Sequence, residues 1–282
     1  MNIVVDMGDG MIDKLFVALW SLDASDKYFL NASSSIASAL KMHGDTIRYV
    51  IATTKELTSF QKNIIHKLQN TYNESISILK LNKDDFMPFK IYTKTWPMII
   101  FAKLLLCEQF RLPYLAIDAD VLFFNKVDDI SFLTSDKPIA SICDISQIKR
   151  GKLNKLNKAF NCNIDVYLNA GALLISPNTL HLSDIYNFIS RYGVNEAIKH
   201  PEQDMLAVIM QDKLQYYPES FGIQLFNDLG KNWKAKEIQN INEGKYKFAH
   251  LMTKQWNKNS PFYQLHLSYL NEIGLSAKGE YE

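Results

Sequence analysis

The chain has 282 residues, 47% of them hydrophobic, and a formal net charge of +1 at pH 7. This composition is sufficient for a large hydrophobic core and argues against a disordered chain, a collagen or a coiled coil. A charge so close to zero also argues against nucleic acid as the main partner, because proteins that bind nucleic acid through its phosphates are usually more basic.

Cysteine usage and apolar stretches indicate the compartment. The three cysteines (Cys107, Cys143 and Cys162) form no CxxC pair, which favours a reducing environment over a disulfide framework or a zinc module. The longest apolar stretch, residues 96–102, is too short to cross a bilayer, and residues 1–10 do not resemble a signal peptide. We therefore expect a cytoplasmic protein.

Short apolar runs that alternate with helical patterns predict an α/β fold with a doubly wound, mostly parallel sheet. The predicted strands are, in chain order, 3–5, 47–52, 76–79, 114–117, 139–142 and 172–175. The predicted helices are 11–22, 35–42, 57–68, 96–110, 182–192 and 202–210. No linker is evident, so we expect one domain over 1–262 and a C-terminal extension over 263–282.

A basic, leucine-spaced segment at 146–160 predicts an amphipathic helix. A solvated helix face is the common explanation of such a segment. It would also suit a position beside an acceptor site, or peripheral contact with anionic lipid at the inner face of a membrane.

The most informative motif is PYLAIDADVLFFN at 113–125, in which an apolar strand ends in Asp118-Ala119-Asp120. Ligands of open α/β sheets bind outside the carboxyl ends of the strands. Two carboxylates there suit Mn²⁺ or Mg²⁺, which would bind a diphosphate. The simpler explanation is an Asp-rich turn.

As an enzyme motif, this DxD has two interpretations. One is a nucleotide-sugar glycosyltransferase. The other is a haloacid-dehalogenase-type phosphohydrolase, in which an Asp would be the nucleophile. Leu122 stands where the phosphohydrolase pattern has Thr or Val, and its DxD usually follows the first strand, so the glycosyltransferase is favoured.

Two further segments place polar residues at the ends of predicted elements. In DVYLNAGALLISP at 165–177, Asn169 and Gly171 would let the backbone approach a ligand, although a β-bulge explains them equally. In HPEQDML at 200–206, Glu202, Gln203 and Asp204 open a helix, either as caps or as a polar cluster at a pocket rim.

A fourth segment, FAHLMTKQWNKNSPF at 248–262, contains a histidine after apolar residues. His250 would be an ordinary imidazole ligand for a metal, although a lone histidine in such a setting is more often a core or surface residue. Lys254 would then neutralise phosphate oxygens.

In this order, the four segments resemble family 8 glycosyltransferases, which include bacterial lipopolysaccharide galactosyl- and glucosyltransferases and glycogenin. The resemblance extends from Ile3 to about Phe262. It implies a GT-A fold over 1–262, with a Rossmann-like, mostly parallel sheet flanked by helices, and a helical C-terminal extension. It also implies a metal-dependent retaining enzyme that moves a hexose from UDP-glucose, UDP-galactose or an N-acetyl relative to lipopolysaccharide, capsule or glycoprotein.

By position, the resemblance assigns roles to several residues. Asp118 and Asp120 match the family's DxD and His250 its late metal ligand, which together would hold Mn²⁺ on the donor diphosphate, with Ala119 between the two carboxylates. Asn169 and Gly171 match the segment near the donor sugar. Gln203 and Asp204 match the pair beside the anomeric carbon. An amide there favours front-face transfer, whereas Asp204 would serve a double displacement.

The remaining assignments concern the rest of the donor. Lys103 stands where the family has an arginine and would contact the donor. Lys254 matches the phosphate-binding lysine. Residues 7–11 lack the tyrosine that would stack on uracil, so Asp6 or Asp9 would bind uracil or ribose. This change, and Thr253 in place of a glycine, leave open a nucleotide-sugar-binding protein without activity.

Overall fold

The computed structural model describes residues 14–92, 97–193, 195–225, 235–252 and 254–275. Its larger sheet has seven strands in the order β3-β2-β1-β4-β7-β6-β8. The strands are β1 (Val17–Ser21), β2 (Arg48–Thr53), β3 (Ile76–Lys80), β4 (Tyr114–Ile117), β6 (Ile139–Ser141), β7 (Ala172–Ile175) and β8 (Leu214–Tyr216). All pairings in this sheet are parallel except those of β7 with β4 and β6.

A smaller sheet lies beside the carboxyl end of β4. It has the order β5-β10-β9, with β5 (Val121–Phe123), β9 (Gly222–Leu225) and β10 (Phe248–Leu251). β5 follows β4 after a three-residue connection, so the DxD segment forms the turn between the two sheets.

Helices cover both faces of the larger sheet, with one apolar cluster on each face. They are α1 (Asp26–His43), α2 (Ser59–Tyr72), α3 (Ala102–Leu105), α4 (Ile145–Lys149), α5 (Lys152–Phe160), α6 (Leu182–Tyr192), α7 (Pro201–Met210), α8 (Ala235–Asn242) and α9 (Tyr263–Glu272). No helix within the described residues is both long and apolar enough to traverse a bilayer. The structure confirms the predicted α/β class with a mostly parallel sheet flanked by helices.

The predicted helix at 11–22 is wrong, because the chain forms strand β1 there. Residues 16–20 are completely buried, and apolar side chains project from both faces of the strand. A central strand that is covered on both sides has no polar alternation, so its run of apolar residues also fits a helical spacing. The strand predicted at 3–5 lies outside the described residues.

Two other predictions differ in extent. The helix predicted at 96–110 consists of a 3₁₀ turn (Met98–Phe101) followed by the short helix α3. The segment at 146–160 forms the two helices α4 and α5, which are separated at Gly151, a residue with φ of 73°.

The C-terminal segment is helical and packs on the domain. Tyr269 and Leu270 of α9 are buried in the same apolar cluster as α1 and the sheet. Lys41 of α1 forms an ion pair with Glu272 at 2.9 Å. A boundary between domain and extension at residue 262 stays a prediction.

Candidate functional site

Three side chains converge at the turn between the two sheets. Antiparallel pairing of β5 with β10 sets His250 opposite Val121, next to the DxD. The ligand atoms of Asp118, Asp120 and His250 all lie within 4.8 Å of one another. His250 Nε2 lies 3.1 Å from Asp120 Oδ1. Two carboxylates and an imidazole at this spacing form a ligand set that suits Mn²⁺ or Mg²⁺.

Asn169 and Gly171 fix the orientation of the His250 ring. The Asn169 side-chain oxygen accepts a hydrogen bond from the backbone N–H of Gly171 at 2.9 Å, and His250 Nδ1 lies 2.8 Å from the same oxygen. Nδ1 must therefore be the donor, which directs Nε2 toward Asp120. A Cβ at Gly171 would lie 2.2 Å from the ring, so only glycine leaves room for it.

His250 binds a proton more tightly than a free imidazole does. Burial alone would lower the pKa of the imidazole, but the charge of Asp120 and the hydrogen bond to it outweigh burial and raise this pKa. A metal ion at this position would bind the neutral imidazole, so its affinity would increase with pH.

Lys103 is the buried cation of the site. Its Nζ donates to Asp118 Oδ1 at 3.1 Å and to the Ala170 carbonyl at 2.8 Å. Burial opposes its charge, yet the carboxylates of Asp118 and Glu202 raise its pKa above the usual value. A charged Lys103 therefore lies beside the DxD, and its contact with a donor stays a prediction.

Glu202 is a site residue that the assignment from the sequence left out. Its Oε2 is buried and makes no hydrogen bond within the described part of the chain. Burial raises the pKa of its carboxyl to about 7, although the charge of Lys103 opposes the shift. The sequence pointed to Glu202 only as one of three polar residues at the start of α7, where a helix cap explains it equally well.

Gln203 is held at both ends of its amide. Its Oε1 accepts from the Ala170 backbone N–H at 3.1 Å, and its Nε2 donates to Asp144 Oδ2 at 3.0 Å. The other carboxylate oxygen of Asp144 accepts from Gln147 N and caps α4. Gln203 thus connects the Asn169–Gly171 turn to the start of α4.

Asp204, the next residue, is completely buried on another side of α7. Its Oδ2 accepts from Lys152 Nζ at 2.7 Å and from the backbone N–H groups of Lys199 and His200. Its Oδ1 accepts from the Tyr167 hydroxyl. Four donors around a buried carboxylate indicate a structural anchor, and nothing in this geometry supports the expectation that Asp204 is a nucleophile.

An aromatic pair lies near the DxD. Tyr28, in the first turn of α1, is 38% exposed and contacts Trp256 edge-on, with ring centroids 5.8 Å apart. Burial and the charges of Asp118 and Asp120 raise the pKa of Tyr28. Lys254 Nζ lies 5.9 Å from the Tyr28 ring and 5.5 Å from the Trp256 ring, so this lysine lies on the aromatic pair.

Tyr28 is a tyrosine near the DxD that the sequence analysis did not consider. It follows β1, the first strand of the described residues. The expectation that residues 7–11 lack a stacking tyrosine depended on a strand at 3–5 and stays a prediction, because both segments lie outside the described residues. Asp6 and Asp9, the predicted base or ribose ligands, lie outside the described residues.

Ala119 contributes its backbone to the support of the DxD turn. Gln255, which is fully buried, donates from Nε2 to the Ala119 carbonyl at 2.9 Å and to Ser34 Oγ at 3.0 Å. Sequence reasoning missed Gln255, because an amide in an irregular segment has no pattern that distinguishes it from a surface residue.

Comparison with known proteins gives a family and a fold. The family described as Glycosyl transferase family 8 matches residues 20–260. No curated protein matches the chain. The galactosyltransferase LgtC, solved with donor and acceptor sugar analogues, is similar with a TM-score of 0.66 at 17% identity, over 92% of this chain and 95% of LgtC.

Two further solved structures share this architecture. The bifunctional glycosyltransferase WbbM has a TM-score of 0.66 at 16% identity, over 96% of this chain and 51% of WbbM. Mouse xyloside xylosyltransferase 1 has a TM-score of 0.57 at 11% identity, over 88% of this chain and 99% of the mouse protein. These likenesses confirm the predicted GT-A fold. They lend no support to the phosphohydrolase alternative.

Proposed function

The chain belongs to glycosyl transferase family 8, and we propose that it is a retaining hexosyltransferase that uses a UDP-hexose donor and a glycan acceptor. The observation that carries this proposal is the cluster of Asp118, Asp120 and His250 at the carboxyl end of β4, with the buried Lys103 beside it.

The ligand set fits Mn²⁺ or Mg²⁺ through Asp118, Asp120 and His250. The carboxylates supply the hard oxygen ligands that these ions prefer, and the hydrogen bond to Asn169 leaves Nε2 of the neutral imidazole free to coordinate. When bound, such an ion would stabilise the negative charge that develops on the departing UDP.

Residues on either side of this cluster would bind the two halves of the donor. Tyr28 offers a half-exposed ring for a base, and Lys254 a nearby cation. Lys103 pairs with Asp118, where it would contact the diphosphate or the sugar. The unpaired oxygen of Glu202 would accept a hydrogen bond from a hydroxyl of the sugar.

The environment of α7 supports transfer on the front face of the donor sugar. Asp204 is the carboxylate next to Gln203, and attack by it would require breaking its bonds to Lys152 and Tyr167. Gln203 offers an amide, which is a poor nucleophile but is held in one orientation. We therefore propose that Gln203 positions the reacting groups and that no covalent intermediate forms at Asp204.

The test is thermal stabilisation of the protein by UDP and Mn²⁺. A ligand at 100 times its Kd adds about 2.7 kcal/mol of stability, which raises Tm by about 5–10 °C for a chain of this size. We expect this shift in the wild type, its loss in Asp120→Asn, and its retention in Asp128→Asn. The matched control removes an exposed carboxylate that pairs with Lys247.

Each outcome bears on a different part of the proposal. A shift with GDP or CDP but not with UDP would keep the enzyme class and replace the donor. A shift that survives in Asp120→Asn would refute the metal site. No shift with any nucleotide would refute the proposed function.

A further inference from the structure

Gln224 in β9 carries two polar atoms with no partner. Both its side-chain oxygen and its side-chain nitrogen are buried, and neither forms a hydrogen bond within the part of the chain that the structure describes. A buried amide left in this state destabilises the fold, so native proteins rarely keep one without a reason.

The position of Gln224 places it beside the metal-binding cluster. β9 and β10 are parallel neighbours, and Gln224 is the register partner of His250. Register partners on adjacent strands project from the same face of a sheet, with the strands about 5 Å apart. The amide therefore lies next to the imidazole, on the side of β10 away from β5 and the DxD.

Gln224 and the DxD lie on opposite sides of β10. β9 pairs with one edge of β10 and β5, which follows the DxD, pairs with the other. Tyr217, in the connection from β8 to β9, binds the backbone of β6 and β7 through Ser141 and Ala172. A donor diphosphate held at the DxD would lie on one side of His250, and Gln224 lies on the other.

The chemistry of the amide identifies the class of ligand. A carboxamide has one accepting oxygen and one donating nitrogen side by side, and adjacent hydroxyls of a sugar offer the complementary donor and acceptor. A charged group would be paired more strongly by a lysine or an arginine, and an apolar group would leave both atoms unsatisfied.

We propose that Gln224 binds two adjacent hydroxyls of the acceptor sugar and thereby selects the acceptor. This inference rests on the proposed function, because it assigns the second substrate of the same site. The acceptor is then a glycan with a free pair of neighbouring hydroxyls at the residue that receives the hexose, and acceptors that lack one of them are poor substrates.

The first test is the thermal stability of Gln224→Met in the ligand-free protein. Methionine has a similar length and no amide, so the variant removes two unpaired groups and should raise Tm by about 2–6 °C. The matched control is Gln215→Met in β8, because Gln215 Nε2 is bound to the carbonyls of Phe132 and Lys137 and its loss should lower Tm. A fall of Tm in Gln224→Met would mean that the amide is paired in solution and would overturn the proposal.

The second test is kinetic and uses methyl glycosides of glucose, galactose and N-acetylglucosamine as acceptor probes. We expect the wild type to release UDP faster with the preferred glycoside than with water, and Gln224→Met to raise the KM for that glycoside about 10- to 100-fold. Single deoxy forms of the glycoside should lose affinity in the wild type but not further in the variant.

The outcomes separate this inference from the proposed function. If UDP release and metal-dependent UDP binding are present but the KM for the glycoside is the same in Gln224→Met, the inference is wrong and the function stands. If the wild type neither binds nor releases UDP, the function itself fails. If no methyl glycoside accelerates UDP release, the direction of the Tm change in Gln224→Met decides.

Discussion

Replacing Gly171 with alanine should remove His250 from the metal-binding cluster. The added Cβ would lie 2.2 Å from Cε1 and 2.4 Å from Nδ1 of the imidazole. The ring must retreat by about 1 Å to reach van der Waals contact. Metal–ligand distances tolerate only about 0.2 Å, so a displaced Nε2 no longer coordinates.

The size of the effect can be worked out in two parts. Forcing a methyl group against a buried ring costs about 1–3 kcal/mol of stability. The ring also loses its hydrogen bond to Asn169, and loss of such outer contacts typically weakens metal binding 10- to 100-fold. We therefore expect Gly171→Ala to weaken Mn²⁺ binding at least 10-fold, measured by calorimetric titration in the presence of UDP.

A matched variant separates crowding from loss of the ligand. Gly222 lies two residues before Gln224 and is not next to a metal ligand. A Cβ at Gly222 would lie 2.6 Å from the Phe248 ring. Gly222→Ala should therefore lower Tm without weakening Mn²⁺ binding to the same degree. In the double variant Gly171→Ala/His250→Ala the clash disappears, so Tm should recover while Mn²⁺ binding stays weak. Full Mn²⁺ affinity in Gly171→Ala would refute the close packing of glycine and imidazole.

Two further predictions concern buried charges. Burial raises the pKa of Glu202 from 4.5 to about 7, so the folded state binds the carboxyl proton more tightly than the unfolded state does. The resulting stabilisation of the folded state is complete below pH 4.5 and is lost as pH rises through 7. The free energy of unfolding of Glu202→Gln, relative to that of the metal-free wild type, should therefore increase between pH 5 and 8 by up to about 3 kcal/mol, as measured by urea denaturation. A difference between the two proteins that does not depend on pH would contradict this. Lys152→Met leaves the Asp204 carboxylate buried without its cation, so it should lower the free energy of unfolding by about 3–5 kcal/mol. The double variant Lys152→Met/Asp204→Asn should lose less stability, and an equal loss in the two variants would contradict the pairing.

Several strands could be predicted to the residue because their environment is uniform. The strands at 114–117 and 172–175 are short apolar runs bounded by polar or small residues, and all of their residues are buried. The polar residues that follow or precede such runs necessarily lie at a sheet edge. The proximity of the DxD to the Asn169–Gly171 turn, in contrast, depends on the antiparallel pairing of β7 with β4, which sets Ala172 opposite Ile117. A β7 parallel to β4 would begin at the other edge of the sheet, so the predicted parallel strands did not imply this proximity.

The first strand could not be identified in the same way. Residues 3–5 and 16–20 are both apolar, and the longer run fits a helical spacing as well as a strand. What decides in favour of a strand is that β1 lies in the middle of the sheet, between β2 and β4, where both of its faces are covered. That fact belongs to the tertiary structure, and the missed Tyr28 is its consequence.

Unpaired polar groups are even less accessible to sequence reasoning. Glu202 and Gln224 differ from ordinary surface residues only in that their neighbours exclude water and offer no hydrogen bond. Neither condition is encoded in the residue itself or in its spacing from other motifs. Such groups can be recognised only after packing is known, and they are then the strongest indication of where a substrate supplies the missing bonds.

The adjacent residues Gln203 and Asp204 show how this distinction affects mechanism. Both lie in the first turn of α7, and successive helical residues point about 100° apart. Gln203 therefore reaches Ala170 and Asp144, whereas Asp204 reaches Lys152 and Tyr167. If the chain has the proposed retaining activity, a double displacement through Asp204 would break the bonds from four donors, whereas front-face transfer would leave the buried Lys152–Asp204 pair intact.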